Sequence, residues 1–362
     1  MRGKEDEAID APALSGLGPA GGKRVRELLD WIDVPSISGT EHQSVDQVAR
    51  ALETRGFDVA RVAVGDGRET LFARAGEPRV VLCTHLDTVP PFIGGRADRT
   101  HVHGRGSCDA KGVALAMVDA AQRTVDSGQE GVGLLFTVGE EVDSDGARAA
   151  ERALVDGALG LAGRPTHVVV GEPTSNRFVR GHKGMVRAKI QSHGVACHSS
   201  RPIGPSAIHG LVHCCAKLTA VEWGEHPVFG PGSLNVGRIE GGVADNVVAA
   251  RAQAELLVRS VRSPDEDLAA LEGALGVDQE LEVHTAYGPV EFDVPEGEPA
   301  EVVAFGTDAP YLASWGRPML IGPGDIGVAH TDHERIGIAE LDEGVERYRR
   351  LLESLLVQEP RT

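Results

Sequence analysis

Aromatic residues make up only 4% of this 362-residue chain. Its core must therefore be built mostly from valine, leucine, isoleucine and alanine. Cations are scarce too: 36 lysines and arginines face 54 aspartates and glutamates, a formal net charge of -18. Nucleic acid and anionic membrane surfaces both need a basic patch, so neither is expected as a partner. No apolar stretch approaches the roughly 18–20 residues of a membrane span. The opening MRGKEDEAIDAPALSGLGPAGGKR carries acids and glycines where a secretory leader needs an apolar run. It reads as a poorly ordered arm. Cysteine is sparse and unpatterned. Cys83, Cys108, Cys197, Cys214 and Cys215 are odd in number and form no C-x-x-C pair. Reduced thiols in a cytoplasmic protein are the expectation.

At roughly 100–200 residues per domain, the length implies two domains. GKRVRELLDWIDV reads as a first helix. SISGTEHQSVDQVARALETRGF reads as a loop and a second helix, with Thr40 or Ser38 as candidate caps. Buried strands RVVLCTH, GVGLLFTV, THVVV and PMLIG then alternate with helical stretches such as AKGVALAMVDAAQRTV and ARAAERALVDGAL, and ELDEGVERYRRLLESLLV closes the chain as a helix. That alternation predicts an α/β fold, its mixed, mostly parallel sheet flanked by helices.

The middle of the chain differs. GMVRAKIQSHG alternates apolar and polar residues, as a half-exposed strand does. IHGLVHCCAKLTAVEW is helical, SLNVGRIEGG and NVVAARAQAELLVRS are strands, SPDEDLAALEGALG is a helix opened at Ser263-Pro264, and ELEVHTA is a last strand. The order βαββαβ is that of a ferredoxin-like domain. It is expected as an insert at 179–287, within a first domain formed by 1–178 and 288–362.

The strongest signal is where the charged residues fall. THLDTVPP puts His85 and Asp87 two apart after a buried strand, on one side of an extended segment. HGRGSCDAKG puts Asp109 in a glycine-rich turn before a helix. FTVGEEVDSDG and VVVGEPTS put Glu140, Glu141 and Glu172 just beyond two further strands, and IGPGDIGVAHTDHE puts His330 beyond a fourth. Sites in open α/β sheets form outside the carboxyl ends of strands. Several converging carboxylates without a cation would repel one another, whereas neutral histidine and carboxylate oxygens suit Zn²⁺ or a related divalent ion. Two ions about 3.5–4 Å apart need a bridging carboxylate and further ligands on each. Asp109 with His85, Glu172, Glu141 and His330 supplies that set. Asp87 is left to hold the other nitrogen of His85. Glu140 is left as a non-ligand carboxylate suited to general-base work.

Taken together, HLDTVP, GRGSCDAKG, TVGEE, GEPT, HKG, CHSSRP, GTDAPYL and GPGDIGVAH appear in the order of a known family. The chain resembles the co-catalytic zinc hydrolases that include acetylornithine deacetylase, succinyl-diaminopimelate desuccinylase, aminoacylase and glutamate carboxypeptidase. The resemblance runs from about Val34 to His330 and beyond. It implies a zinc-peptidase-like catalytic domain. His85, Asp109 and Glu172 would hold one zinc, and Asp109, Glu141 and His330 the other, with cobalt able to substitute. Glu140 would be the base and then the acid. The inserted domain would act as a lid and as the surface of a homodimer. His198, in VACHSSRP, would donate to the developing oxyanion. Arg259 would pair with a substrate carboxylate. Asn246, where the family's following proline is missing, and Gly306, Thr307 and Asp308 would line the substrate site.

GEPTS and GTDAPYL most resemble acetylornithine deacetylases. The expected substrate is therefore an N-acyl amino acid, with N-acetylornithine giving ornithine and acetate. A dipeptidase or carboxypeptidase, or a deacylase acting on acetyl-lysine or succinyl-diaminopimelate, is the alternative. A non-catalytic binding protein would have lost Glu140 or a ligand, and a mononuclear enzyme would lack Glu141 or Glu172; all are present.

Overall fold

The computed structural model describes residues 18–357. Most of the expected N-terminal arm lies outside these residues. Its end does not read as expected: Pro19–Ile32 is a helix with proline in its first turn, three residues earlier than the sequence pattern placed it. Val25, Leu28, Leu29, Trp31 and Ile32 bury its inner face. Lys111 Nζ, deep in the core, donates to Trp31 O at 2.9 Å and Val34 O at 2.7 Å, tying off its C-terminal end.

The chain divides into two compact units. The first runs to Arg180 and adds Phe292–Glu301 and the segment from Thr307 onward; the second is Gly181–Glu291 with Val302–Gly306. The insert expected from sequence spanned 179–287, without the return of Val302–Gly306.

The first unit is built on six strands in the order Asp58–Gly65, Arg68–Ala75, Val132–Thr137, Val80–His85, His167–Val170, Arg317–Leu320. The last four run parallel, and the first two join antiparallel. Val80–His85, Val132–Thr137 and His167–Val170 are buried throughout. A parallel sheet covered on both faces demands such continuous apolar runs. Helices Lys111–Asp126 and Ile338–Val357 supply part of that cover and share the main apolar cluster with the sheet.

The second unit has the chain order strand Gly184–His193, helix Ala207–Thr219, strands Ser233–Gly241 and Arg251–Ser260, helix Pro264–Ala274 and strand Gln279–Tyr287. The four strands form one antiparallel sheet. Val186, Ala188, Ile190, Ala254, Leu256 and Val258 face Leu211, Cys214, Leu218 and Leu271 of the helices. Ser263 and Glu266 close a capping box at the second helix. The stretch 246–260, expected as one strand, is two: Val247–Val248 breaks away to pair with Cys197–His198.

Candidate metal centre

Parallel register brings the strand ends level. His85 pairs with Thr137 across one neighbour, and Cys83 with Val170 across the other. The residues that follow each strand therefore emerge at one edge, delivering Glu140 and Glu141, Glu172 and the His330 loop beside His85. The strand ends sit tight against the helices. A Cβ at Gly171, just before Glu172, would lie 2.3 Å from Met117 and 2.6 Å from Val113. Asp109 arrives from the turn before Lys111–Asp126; the peptide after it is cis.

Ligand atoms of His85, Asp109 and Glu141 lie within 4.8 Å of one another, a spread that one ion spans. His85 Nε2 is 3.1 Å from Asp109 Oδ1 and 3.9 Å from Glu172 Oε2. His330 Nε2 is 3.1 Å from Asp109 Oδ2 and 2.8 Å from Glu141 Oε1. Asp109 thus stands between the two imidazoles, one on each oxygen. His330 takes φ +62°, a left-handed conformation uncommon outside glycine and found where a site imposes it.

The tautomer of His85 suits a cation. Its Nδ1 lies 3.0 Å from the Asp87 backbone carbonyl, which can only accept. Nδ1 must carry a proton, so Nε2, which faces Asp109 and Glu172, is the nitrogen left to ligate a cation once it is deprotonated. Asp87, expected to hold this nitrogen, reaches it through its backbone, while its carboxylate stands farther off, at 3.5 Å. That carboxylate takes three donors instead: Glu140 N at 3.1 Å, Glu141 N at 3.2 Å and Ser38 Oγ at 2.8 Å. Asp87 therefore orients both glutamates as well as the histidine. Burial alone would raise its carboxyl, but His85, Ser38 and the Glu141 amide hold it below the ordinary range. Ser38 caps no helix, and Thr40 hydroxyl donates to Ile37 O; the helix His42–Thr54 begins without a side-chain cap.

Carboxylates outnumber imidazoles in the cluster. Desolvation and the charges of Asp109, Asp308 and Glu141 push Glu172 well above the carboxylate range, against the pull of His85. Desolvation also raises Glu140, reinforced by Glu172, Asp308 and Glu141. His330 is raised to about 10 by its hydrogen bonds to Asp109 and Glu141. Oxygen and imidazole donors crowded this closely fit a pair of divalent ions, which would relieve the repulsion.

The remaining candidates divide between the two units. Thr307 and Asp308 belong to the first unit and are buried. Asp308 Oδ2 accepts from Thr137 Oγ1 at 2.6 Å, and Thr307 Oγ1 accepts from Ala309 N at 3.1 Å. Gly306, Asn246, His198 and Arg259 belong to the second unit. His198 Nδ1 accepts from Ser200 N at 3.2 Å, which leaves its Nε2 as a donor. Arg259 lies between Ser233 and Met185 in the sheet and makes no ion pair among the described residues. Burial and the nearby Arg259 charge lower the pKa of His182 to about 4. Cys108 is buried beside Glu334, and its thiol is pushed well up by desolvation, as a packing residue's is. Sequence patterns missed Ser38 and the buried pair Arg105–Glu334, which no motif spacing marks.

A family model described as peptidase family M20/M25/M40 matches residues 81–354. The chain is 34% identical over 371 residues to a peptidase M20 domain-containing protein of Schizosaccharomyces pombe, covering 96% of this chain and 88% of that protein. It is 36% identical over 372 residues to a probable carboxypeptidase of Aspergillus terreus, covering 90% and 85%. Among solved structures, aminopeptidase PepT of Bacillus cereus aligns with a TM-score of 0.75 at 19% identity, over 92% of this chain and 98% of that one. An M20 family metallo-carboxypeptidase of Sulfolobus solfataricus aligns at 0.74 and 17%, over 93% and 100%. An aminopeptidase and a carboxypeptidase fit equally well, so these two likenesses speak for the fold and not for the substrate. No described helix is long and apolar enough to cross a membrane.

Proposed function

The chain belongs to peptidase family M20/M25/M40, and on that premise we propose that it is a di-metal exopeptidase of carboxypeptidase or dipeptidase type. Its substrates are short peptides with a free terminal carboxylate. The observation that carries this reading is the convergence of His85, Asp109, Glu141, Glu172 and His330 on one sheet edge beside Glu140, which makes none of the short contacts of that cluster. The probable carboxypeptidase relative supports the substrate class better than N-acetylornithine, the expectation from sequence. So does Arg259, a guanidinium without an acidic partner among the described residues and suited to a bidentate carboxylate.

In this reading His85, Asp109 and Glu172 would hold one ion, and Asp109, Glu141 and His330 the other. Zinc is the ion we assign, from the mixed imidazole and carboxylate donors. Bound ions supply Lewis acidity toward the scissile carbonyl and toward water. Glu140 takes a proton from the attacking water at its carboxylate and returns it to the leaving amine. Desolvation and the neighbouring carboxylates raise its pKa, the direction that favours taking up the proton. Asp87 holds the Glu140 and Glu141 amides in place while His85 keeps its ligating tautomer. His198 donates from Nε2 to the developing oxyanion, and Asn246 joins the substrate site. A homodimer through the second unit, in the cytoplasm, completes the proposal.

The test is a panel of dipeptides and tripeptides, their C-terminal amides, and N-acetyl amino acids including N-acetylornithine, each with and without chelator. Chelator-sensitive cleavage of the free acids is expected. Capping the carboxylate, or Arg259→Ala, should cost about tenfold or more in kcat/KM, as loss of a charged hydrogen bond does. Cleavage of N-acetylornithine alone would move the enzyme to the deacetylases, and chelator-insensitive activity would overturn the metal assignment.

A further inference from the structure

We propose that Glu334, held by Arg105, is a positioning residue that locks the Asp109 turn to the His330 loop and thereby sets the affinity of the metal centre; this rests on the metallopeptidase reading above. Both side chains are almost wholly buried, at 0% and 2% exposure. A buried ion pair is seldom worth its desolvation for stability alone, so what it holds matters. Here most contacts lead to one of the two ligand segments. Glu334 Oε2 takes Arg105 Nη1 at 2.6 Å. Glu334 Oε1 takes Gly106 N at 2.8 Å and both Cys108 N and Asp109 N at 3.3 Å. One carboxylate oxygen therefore closes the turn, including the amide of Asp109 itself.

The same two residues fasten the other side. Arg105 Nη1 also donates to Thr331 O at 3.2 Å, and Gly104 N donates to Glu334 O at 3.2 Å. Arg105 Nε reaches Pro91 O at 3.3 Å, in the segment that follows Asp87. Asp109 and His330 are 221 positions apart in sequence, yet Asp109 Oδ2 stands 3.1 Å from His330 Nε2. Residues 104–109 and 331–334 are stitched together directly behind that contact. Neither Glu334 nor Arg105 offers an atom to the ligand cluster; they act through the backbone that carries the ligands.

Two variants of the whole chain separate this role from plain structural support. Glu334→Gln keeps an oxygen for the turn amides but removes the charge facing Arg105. Glu334→Ala removes both. The metal-free proteins are titrated with Co²⁺, followed by visible absorption and calorimetry, with circular dichroism and melting as checks on folding. In Glu334→Ala the ion served by Asp109 and His330 should bind about 10–100-fold more weakly, the usual cost of losing a group that orients ligands, with an altered cobalt spectrum. The other ion should lose less, and Glu334→Gln should fall between. Folded variants that bind both ions within about twofold of the parent, or that lose both equally, overturn the positioning role. A parent that takes up no cobalt overturns the metallopeptidase reading and this role with it. A parent that takes up two ions beside unchanged variants overturns this role alone.

Discussion

Metal uptake should release protons, and the two histidines set the sign. Without a cation, His330 Nε2 sits between Asp109 and Glu141, and its pKa rises to about 10 from an ordinary 6.5. His85 is also raised well above its ordinary value: burial opposes its charge, but hydrogen bonds to Asp109 and Asp87 and the charge of Glu172 prevail. His330 is therefore imidazolium at neutral pH and His85 is drawn toward the same form, filling with protons the place that cations would take. An imidazolium has no lone pair to give, so each must lose its proton to ligate. For one displaced proton, apparent affinity climbs about tenfold per pH unit while pH stays below the folded pKa. For His330 that holds at any pH below about 10. Linkage has the opposite sign for the metal-free chain. A raised pKa stabilises the fold fully below about 6.5, and that share is lost as pH climbs through about 10. Water screens the half-exposed His330 ring, so the slope is the quantity to measure. The assay is calorimetric titration with zinc at pH 7, in two buffers of different ionisation enthalpy, repeated at pH 6 and 8. At least one proton should leave for each pair of ions bound. Equal heats in the two buffers, with an affinity flat from pH 6 to 8, would refute the argument, because both imidazoles would then already be neutral.

Three substitutions test other steps. Glu140→Gln should bind both ions yet lose about 10²–10⁴-fold in kcat, the usual worth of a positioned acid–base group, and turnover close to the parent's would remove it from the chemistry. Leu82→Ala empties a fully buried site in the central strand and should cost about 2–5 kcal/mol in denaturant unfolding; a smaller loss would mean that the sheet collapses onto the gap. Gly146→Ala would place a Cβ 2.3 Å from Val138 O and 2.6 Å from Val138 N, so the Gly139–Ser144 loop must shift. Activity should then fall further than melting temperature does, because that loop carries Glu140 and Glu141.

What could be read from sequence divides along physical lines. Continuous apolar runs such as VVLCTH and VGLLFT announce buried parallel strands, and polar residues just past their ends stand out because little else interrupts the pattern. His85, Glu140, Glu141 and Glu172 are of that kind, whereas Asp109 lies in the turn before a helix and His330 in a longer loop. The antiparallel pair Asp58–Gly65 and Arg68–Ala75 was hidden, because its outer strand is exposed or half-exposed throughout and Arg61 and Glu69 pair across the surface. Serine before a helix offers itself as a candidate cap, as Ser38 does beside Thr40; only the folded chain sets Ser38 against Asp87, 49 positions away. Asp87 shows the limit most clearly. Spacing could put it on the same side as His85, but not reveal that its backbone carbonyl, rather than its carboxylate, fixes the imidazole. The freed carboxylate can then accept from the amides of Glu140 and Glu141, so one buried residue sets both the tautomer of a ligand and the position of the base. Such a role belongs to backbone geometry, which residue identity alone does not encode. The same holds for Glu334, whose partners are mostly main-chain amides.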